Sequence, residues 1–207
     1  PGAVYHVDSI ASEREVIFAE AHKYGTPPLT TSHQGGVFTT STLPPDAPES
    51  AELLSLNRRV LQELGFVRGV THAEFLKADR DGKSYFIEVA ARVGGAFISD
   101  VIEAATGINL WREWARLEVG AGKQTYELPP HKREYAAVIL SLARQEHPDT
   151  SAYKDPEIVQ HISKYHHAGL ILKAANSARL QELIASYAGR FQQDFLATQP
   201  VPDKPTS

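Results

Sequence analysis

Residues 69–92 constrain the fold more than any other stretch, because two segments of alternating apolar and polar residues flank the turn-rich ADRDGKS, with Asp81-Gly82 at its centre. That pattern predicts an antiparallel hairpin of Gly69 to Ala78 with Ser84 to Arg92. Side chains alternate across a strand, so Tyr85, Ile87, Val89 and Ala91 share one face with Ala73 and Phe75. His72, Glu74 and Leu76 then share the other with Phe86, Glu88, Ala90 and Arg92. A loop centred on Asp81 sets Glu74 directly opposite Glu88.

Opposed carboxylates, with Cβ atoms about 5 Å apart, destabilise a strand pair unless something offsets the charge. Arg92 is within reach on the same face, and a divalent cation would satisfy both acids; oxygen-only ligation suits Mg²⁺ or Mn²⁺. The same pattern also fits a solvated face whose acids point into water. Val93-Gly94-Gly95 breaks the strand, and from Ala96 a helical pattern with Phe97, Val101 and Ala104 on one side runs to Gly107. Gly94 and Gly95 let the backbone approach a ligand, and a helix start of this kind offers free N–H groups to an anion. A plain tight turn between strand and helix is the other reading.

The two motifs THAEF (71–75) and YFIEVAARVGG (85–95) together resemble the metal-binding core of the ATP-grasp superfamily, whose second segment commonly reads E-x-N-x-R. The resemblance covers about Val4 to Val119 and implies an α+β fold: the C-terminal half of an ATP-grasp protein, an antiparallel sheet with flanking helices. It implies ATP as cofactor, Mg²⁺ (or Mn²⁺) held by Glu74 and Glu88, and Arg92 acting on the γ-phosphate or an acyl-phosphate intermediate. By the same resemblance His6 and Asp8 face the nucleotide, as do Gly94 and Gly95 of the loop. His33 and Gln34 resemble the His-Gln of biotin-dependent carboxylases, but Gly35 stands where a lysine follows, which argues against bicarbonate chemistry. Ala90 occupies the position of the pattern's Asn and puts a second-metal contact in question.

Among ATP-grasp proteins the wording HAEF…EVAARVGG, with HHAGLIL (166–172) later, looks most like amino-acid and peptide ligases and carbamoyl-phosphate-synthase-like proteins. That implies small carboxylate and amine substrates and is compatible with a homo-oligomer. A carboxylase or carbamoyl-phosphate-type enzyme and a non-catalytic binding or assembly module stay open beside the ligase.

A chain of 207 residues can bury a sizeable core. Its net charge of −4 gives no support to a nucleic-acid partner, and no apolar run approaches a membrane span or a signal peptide. The absence of cysteine excludes disulfides and thiolate metal sites and is compatible with a cytoplasmic enzyme. The start at Pro1, the lack of any methionine, and the lack of a counterpart to the lid and N-terminal domain of ATP-grasp enzymes lead us to expect part of a longer protein.

Along the rest of the chain, VYHVDSIA (4–11) and EVIFAEAHKY (15–24) read as an antiparallel pair, Gly25 to Gly36 as a loop, and Val37 to Leu43 as a strand. Asp46, Pro48 and Glu49 resemble a capping box ahead of a helix with Leu53, Leu56, Val60, Leu61 and Leu64, stopped by Gly65. Asn109 caps a short helix whose Trp111 and Trp114 read as core contacts. Residues 120–130 have linker composition and divide an ATP-grasp subdomain (1–120) from a small α+β cap (121–199). The cap is two strands, one near 135–143 and one at 164–175, and a helix capped by Asn176 or Ser177. His166 and His167 fall on opposite faces of the second strand and cannot join in one metal site. Residues 200–207 have the composition of a disordered tail.

Overall fold

In a computed structural model, which describes residues 1–27, 36–120 and 125–197, Glu13 and Arg14 both take left-handed φ values of 51° and 71°. This two-residue turn closes a hairpin between β1 (Gly2–Ser12) and β2 (Glu15–Tyr24) in the sense that matches strand twist. β3 (Phe38–Thr42) pairs with the end of β2, then α1 (Pro48–Glu63) crosses the sheet and returns the chain to β4 (Gly69–Ala78) and β5 (Ser84–Ala90). α2 (Ile98–Thr106) and α3 (Leu110–Gly120) follow. β6 (Tyr135–Leu142), β7 (Ile158–Lys164), β8 (His167–Ala174) and α4 (Ser177–Asp194) complete the described fold.

The strands form one antiparallel sheet in the order β5-β4-β1-β2-β3-β6-β8-β7. Among the described residues two helices cover each face. α1 packs on Tyr5, Val7, Ala21, Ala73 and Phe75, and α4 buries Leu180, Leu183, Tyr187 and Phe191 against β6 and β8 on the same side. On the opposite side α2 sets Val101 and Ala105 on Ala136, Val138 and Ile171, while its Ile98 and Ile102 meet Ile10, Phe18 and Val70 with Leu110 and Leu117 of α3. The boundary expected at 120/121 therefore crosses a shared core, and β3 pairs directly with β6. No helix among the described residues is long and apolar enough to cross a membrane.

Several local expectations are revised by the structure. The cap region holds three strands, because residues 158–164 form an outer strand on β8. α1 is capped at Ala47 with no side-chain bond, so Asp46 does not close a capping box; Pro48 still opens the first turn. Its buried stripe is Ser50, Leu53, Asn57 and Leu61, and Leu64 is exposed; Asn57 donates to Ser9 Oγ at 2.7 Å. α2 starts at Ile98, because Ala96 and Phe97 both take left-handed φ and delay the first helical turn. Trp111 is 56% exposed and stacks on Trp114, which is half-buried and packs on the Ile10, Ile102 and Leu117 core as expected. His166 has φ 54° and sits in the β7–β8 turn, so it has no strand face to share with His167. The expected tail, 200–207, lies outside the described residues.

In the β4–β5 hairpin, Glu74 pairs with Glu88 and His72 with Ala90, as the alternation predicts. Between Glu74 and the turn a bulge at Ile87 shifts the register, so Phe75 pairs with Phe86 and Leu76 with Tyr85. The facing expected near the turn is therefore inverted, and the Phe75 and Phe86 rings lie 6.0 Å apart. Alternation cannot reveal this, because an inserted residue resets the period.

Candidate active site

Five adjacent strands, β5, β4, β1, β2 and β3, place polar residues on one face of the sheet. Register sets His6 against Glu74 on β4 and His22 on β2, and Asp8 against His72 and Glu20. Tyr24 and Thr40 continue the surface onto β3. A row therefore runs Glu88, Glu74, His6, His22, with Ala90, His72, Asp8, Glu20 beside it.

Asp8 is the hub. It is fully buried and meets His6 Nδ1 at 2.6 Å through Oδ2 and His72 Nδ1 at 2.9 Å through Oδ1. Burial would raise its pKa, but the neighbouring His72 and His6 hold the carboxyl well below the usual range. Burial keeps His6 below the ordinary histidine value despite Asp8. A neutral His6 must donate from Nδ1, since a carboxylate only accepts, and its Nε2 then accepts from the Thr40 hydroxyl at 2.7 Å. His72 is the opposite case. Burial alone would lower it, yet the charge of Asp8, its hydrogen bond and the contact with Glu74 push it up to about 9.

Glu74 is partly buried, and its Oε1 accepts the Tyr24 hydroxyl at 2.8 Å and lies 3.5 Å from His72 Nε2. The hydrogen bond to His72 lowers its pKa against the cost of burial. Glu88 is exposed on the edge strand and has no hydrogen bond or ion pair among the described residues. Arg92 is exposed, and its guanidinium donates to Val93 O at 2.9 Å. Gly94 is buried against the hub: a Cβ there would sit 2.9 Å from Asp8 Oδ1 and 3.0 Å from His72 Nδ1. Gly95 has open space around it.

The structure thus sets Glu74 opposite Glu88 and Gly94 against Asp8 and His72, with Arg92 and Gly95 on the same turn that follows β5. His6 and Asp8, expected to face nucleotide, are sealed beneath it at 0% exposure with their polar atoms engaged inside the protein. The reason is position: β1 is flanked by β2 and β4, and the Gly94 turn closes over Asp8. His33 and Gln34 lie outside the described residues. His22, Tyr24, Glu20 and Thr40 are not singled out by the sequence motifs, although Glu20, His22 and Tyr24 recur at every second position of β2.

Do these residues fit a divalent cation? Glu88 is unpartnered, and none of the hydrogen bonds among the described residues engages Glu74 Oε2. Two opposed carboxylate groups with oxygen atoms to spare match the donor set of Mg²⁺ or Mn²⁺. The His6–Asp8–His72 group also gathers three ligating atoms, but the distances are those of hydrogen bonds with protons between the atoms.

Glu20 is nine-tenths enclosed, and its Oε2 has no hydrogen-bond partner among the described residues. Burial raises its pKa from 4.5 to about 7, with Arg133 pulling the other way. A carboxyl whose folded pKa is raised stabilises fully below its unfolded pKa, and that contribution is lost as pH rises through the folded value. Glu20→Gln should therefore match the parent near pH 4 and exceed it at pH 8 by up to roughly 3 kcal/mol. Urea unfolding at the two pH values measures this; an equal difference at both would mean that Glu20 is ionised in the folded protein.

The sheet, its helices and the carboxylate hairpin define the chain's class: it has the ATP-grasp fold. Among solved structures, phosphoribosylglycinamide synthetase from Anaerococcus prevotii superposes with a TM-score of 0.63 at 13% identity, over 97% of this chain and 54% of that one. L-amino acid ligase from Bacillus licheniformis gives a TM-score of 0.67 at 15% identity, over 96% and 52%. In sequence, the chain is 30% identical over 117 residues to an L-arginine-specific L-amino acid ligase of Bacillus subtilis, which is 56% of this chain and 27% of that protein. The chain therefore spans about half the length of these solved relatives and about a quarter of the curated one. No family model matches it.

Proposed function

We propose that the chain supplies the metal-binding wall of an ATP-dependent ligase that joins a carboxylate to an amine. The observation that carries the reading is Glu74 opposite Glu88 with spare oxygen atoms, followed at once by Arg92 and the Gly94-Gly95 turn, in a sheet of ATP-grasp fold. Glu74 and Glu88 would hold one or more divalent cations, which when bound supply positive charge to the phosphates of ATP. Arg92 is free to swing toward a transferred phosphoryl group, because among the described residues its one hydrogen bond is to a carbonyl and it faces solvent. Gly95 leaves the backbone open to a phosphate or substrate.

In the proposed reaction a substrate carboxylate oxygen attacks the γ-phosphorus, ADP leaves, and an acyl phosphate forms. An amine nitrogen then attacks the carbonyl carbon, phosphate leaves with the bonding pair, and the amine loses a proton to solvent. In the transition state negative charge is spread over the phosphoryl oxygens and builds on the departing ADP, so the Arg92 guanidinium, with a cation if Glu74 and Glu88 held one, would lower the barrier by stabilising that charge.

The test is a screen of the intact protein with Mg-ATP over amino acids. One ADP and one phosphate per amide, dependent on the amine, is the expected result; phosphate release driven by bicarbonate alone would move the assignment to a carboxylase. Arg92→Ala should lower turnover by about 10²-fold or more while changing ATP affinity little. Equal losses of both would make Arg92 a structural partner of the glutamates.

A further inference from the structure

A metal-binding carboxylate is useful only if its own rotamer is held, and the groups that hold it carry as much of the affinity as the geometry they enforce. Among the described residues Glu74 is held on one oxygen, Oε1. Tyr24, buried on β2, donates to Oε1 at 2.8 Å, and His72 Nε2 stands 3.5 Å from the same atom and 3.3 Å from the Tyr24 hydroxyl. His72 is in turn fixed from behind by Asp8, 2.9 Å from Nδ1, and Asp8 is fixed by His6 at 2.6 Å. Across the hairpin His72 faces Ala90, a residue too small to crowd the ring or to offer it another partner.

We propose that Tyr24 and His72, the latter braced by Asp8, are positioning residues that commit Glu74 Oε1 to the protein interior and leave Oε2 alone for the cation. This rests on the reading of Glu74 and Glu88 as metal ligands. The same brace sets the height of the glycine turn, because Gly94 lies against Asp8 Oδ1 and His72 Nδ1 with no room for a Cβ. Carboxylate and turn are therefore registered to each other through a single pair of side chains. Glu74 would then offer a cation one oxygen, with Glu88 opposite it as the second carboxylate.

The experiment is Mn²⁺ binding to the intact protein, followed by electron paramagnetic resonance with saturating ATP, alongside ATP affinity measured in EDTA. Tyr24→Phe keeps the ring and its packing and removes only the donor; His72→Gln is the second variant. Each should weaken Mn²⁺ by about 10-fold to 100-fold and leave metal-free ATP affinity unchanged. Glu74→Gln serves as the control on the underlying reading: unaltered Mn²⁺ affinity in that variant would sink the metal site itself. If Glu74→Gln loses Mn²⁺ while Tyr24→Phe and a folded His72→Gln keep it, the site stands and the positioning role falls. Loss of metal-free ATP affinity in step with Mn²⁺ would assign both residues to the scaffold and overturn the proposal.

Discussion

Glu74→Gln and Glu88→Gln are expected to lose metal-dependent ATP turnover alike, by about 10²-fold or more, and to part in a thermal melt. Glu88 is an exposed, unpartnered acid directly opposite another acid, so its neutralisation removes repulsion and should leave stability equal or raise it by up to about 1 kcal/mol. From the hairpin alone the same outcome follows for Glu74, but the structure reverses it. Glu74 carries the Tyr24 hydroxyl and the His72 ring on Oε1. A glutamine can still accept from Tyr24, yet it removes the negative charge beside a buried histidine held at about 9. Hydrogen bonds to charged groups contribute about 1.5–3 kcal/mol, more than the repulsion relieved, so Glu74→Gln should lower the melting temperature. Equal melts for the two variants would show that His72 does not depend on Glu74.

Asp8→Asn should cost more than either, on the order of 3–5 kcal/mol, the range for breaking a buried charge pair. Both carboxylate oxygens of Asp8 accept from histidine N–H groups. An asparagine offers one acceptor oxygen and an NH₂, so one of the two imidazoles must switch tautomer or set its N–H against another donor in a buried site. His72 would also lose its principal counter-charge. Because burial of Asp8 is overcome by its histidine partners, the contribution is present above the unfolded carboxyl pKa and is lost as pH falls through the lower folded value. Urea unfolding at pH 7 measures the loss; a variant within about 1 kcal/mol of the parent would mean that the histidines repack without the carboxylate.

Much of this was legible without coordinates. Period-two alternation with Asp81-Gly82 predicted the β4–β5 hairpin and placed Glu74 across from Glu88, since a two-sided strand leaves few registers that keep Ala73 and Phe75 inward. A cap at Asn176 or Ser177 predicted α4 for an equally local reason, and the structure puts it at Asn176, whose side chain accepts from Arg179 N. These features depend on residues within one turn or one loop of each other, and local chemistry decides them.

The bulge at Ile87, the left-handed pair Ala96-Phe97 and the third strand of the C-terminal part depend on packing between segments far apart in the chain. The site divides in the same way. The sequence by itself determined which face the carboxylates share, because alternation fixes facing. It could not determine that His6, Asp8, Tyr24 and His72 meet behind Glu74, because alternation says nothing about which strand lies beside which. That follows from the strand order β4-β1-β2-β3, in which β1 is the common neighbour of β4 and β2. The same non-local placement buries Asp8 and gives its two histidines opposite shifts.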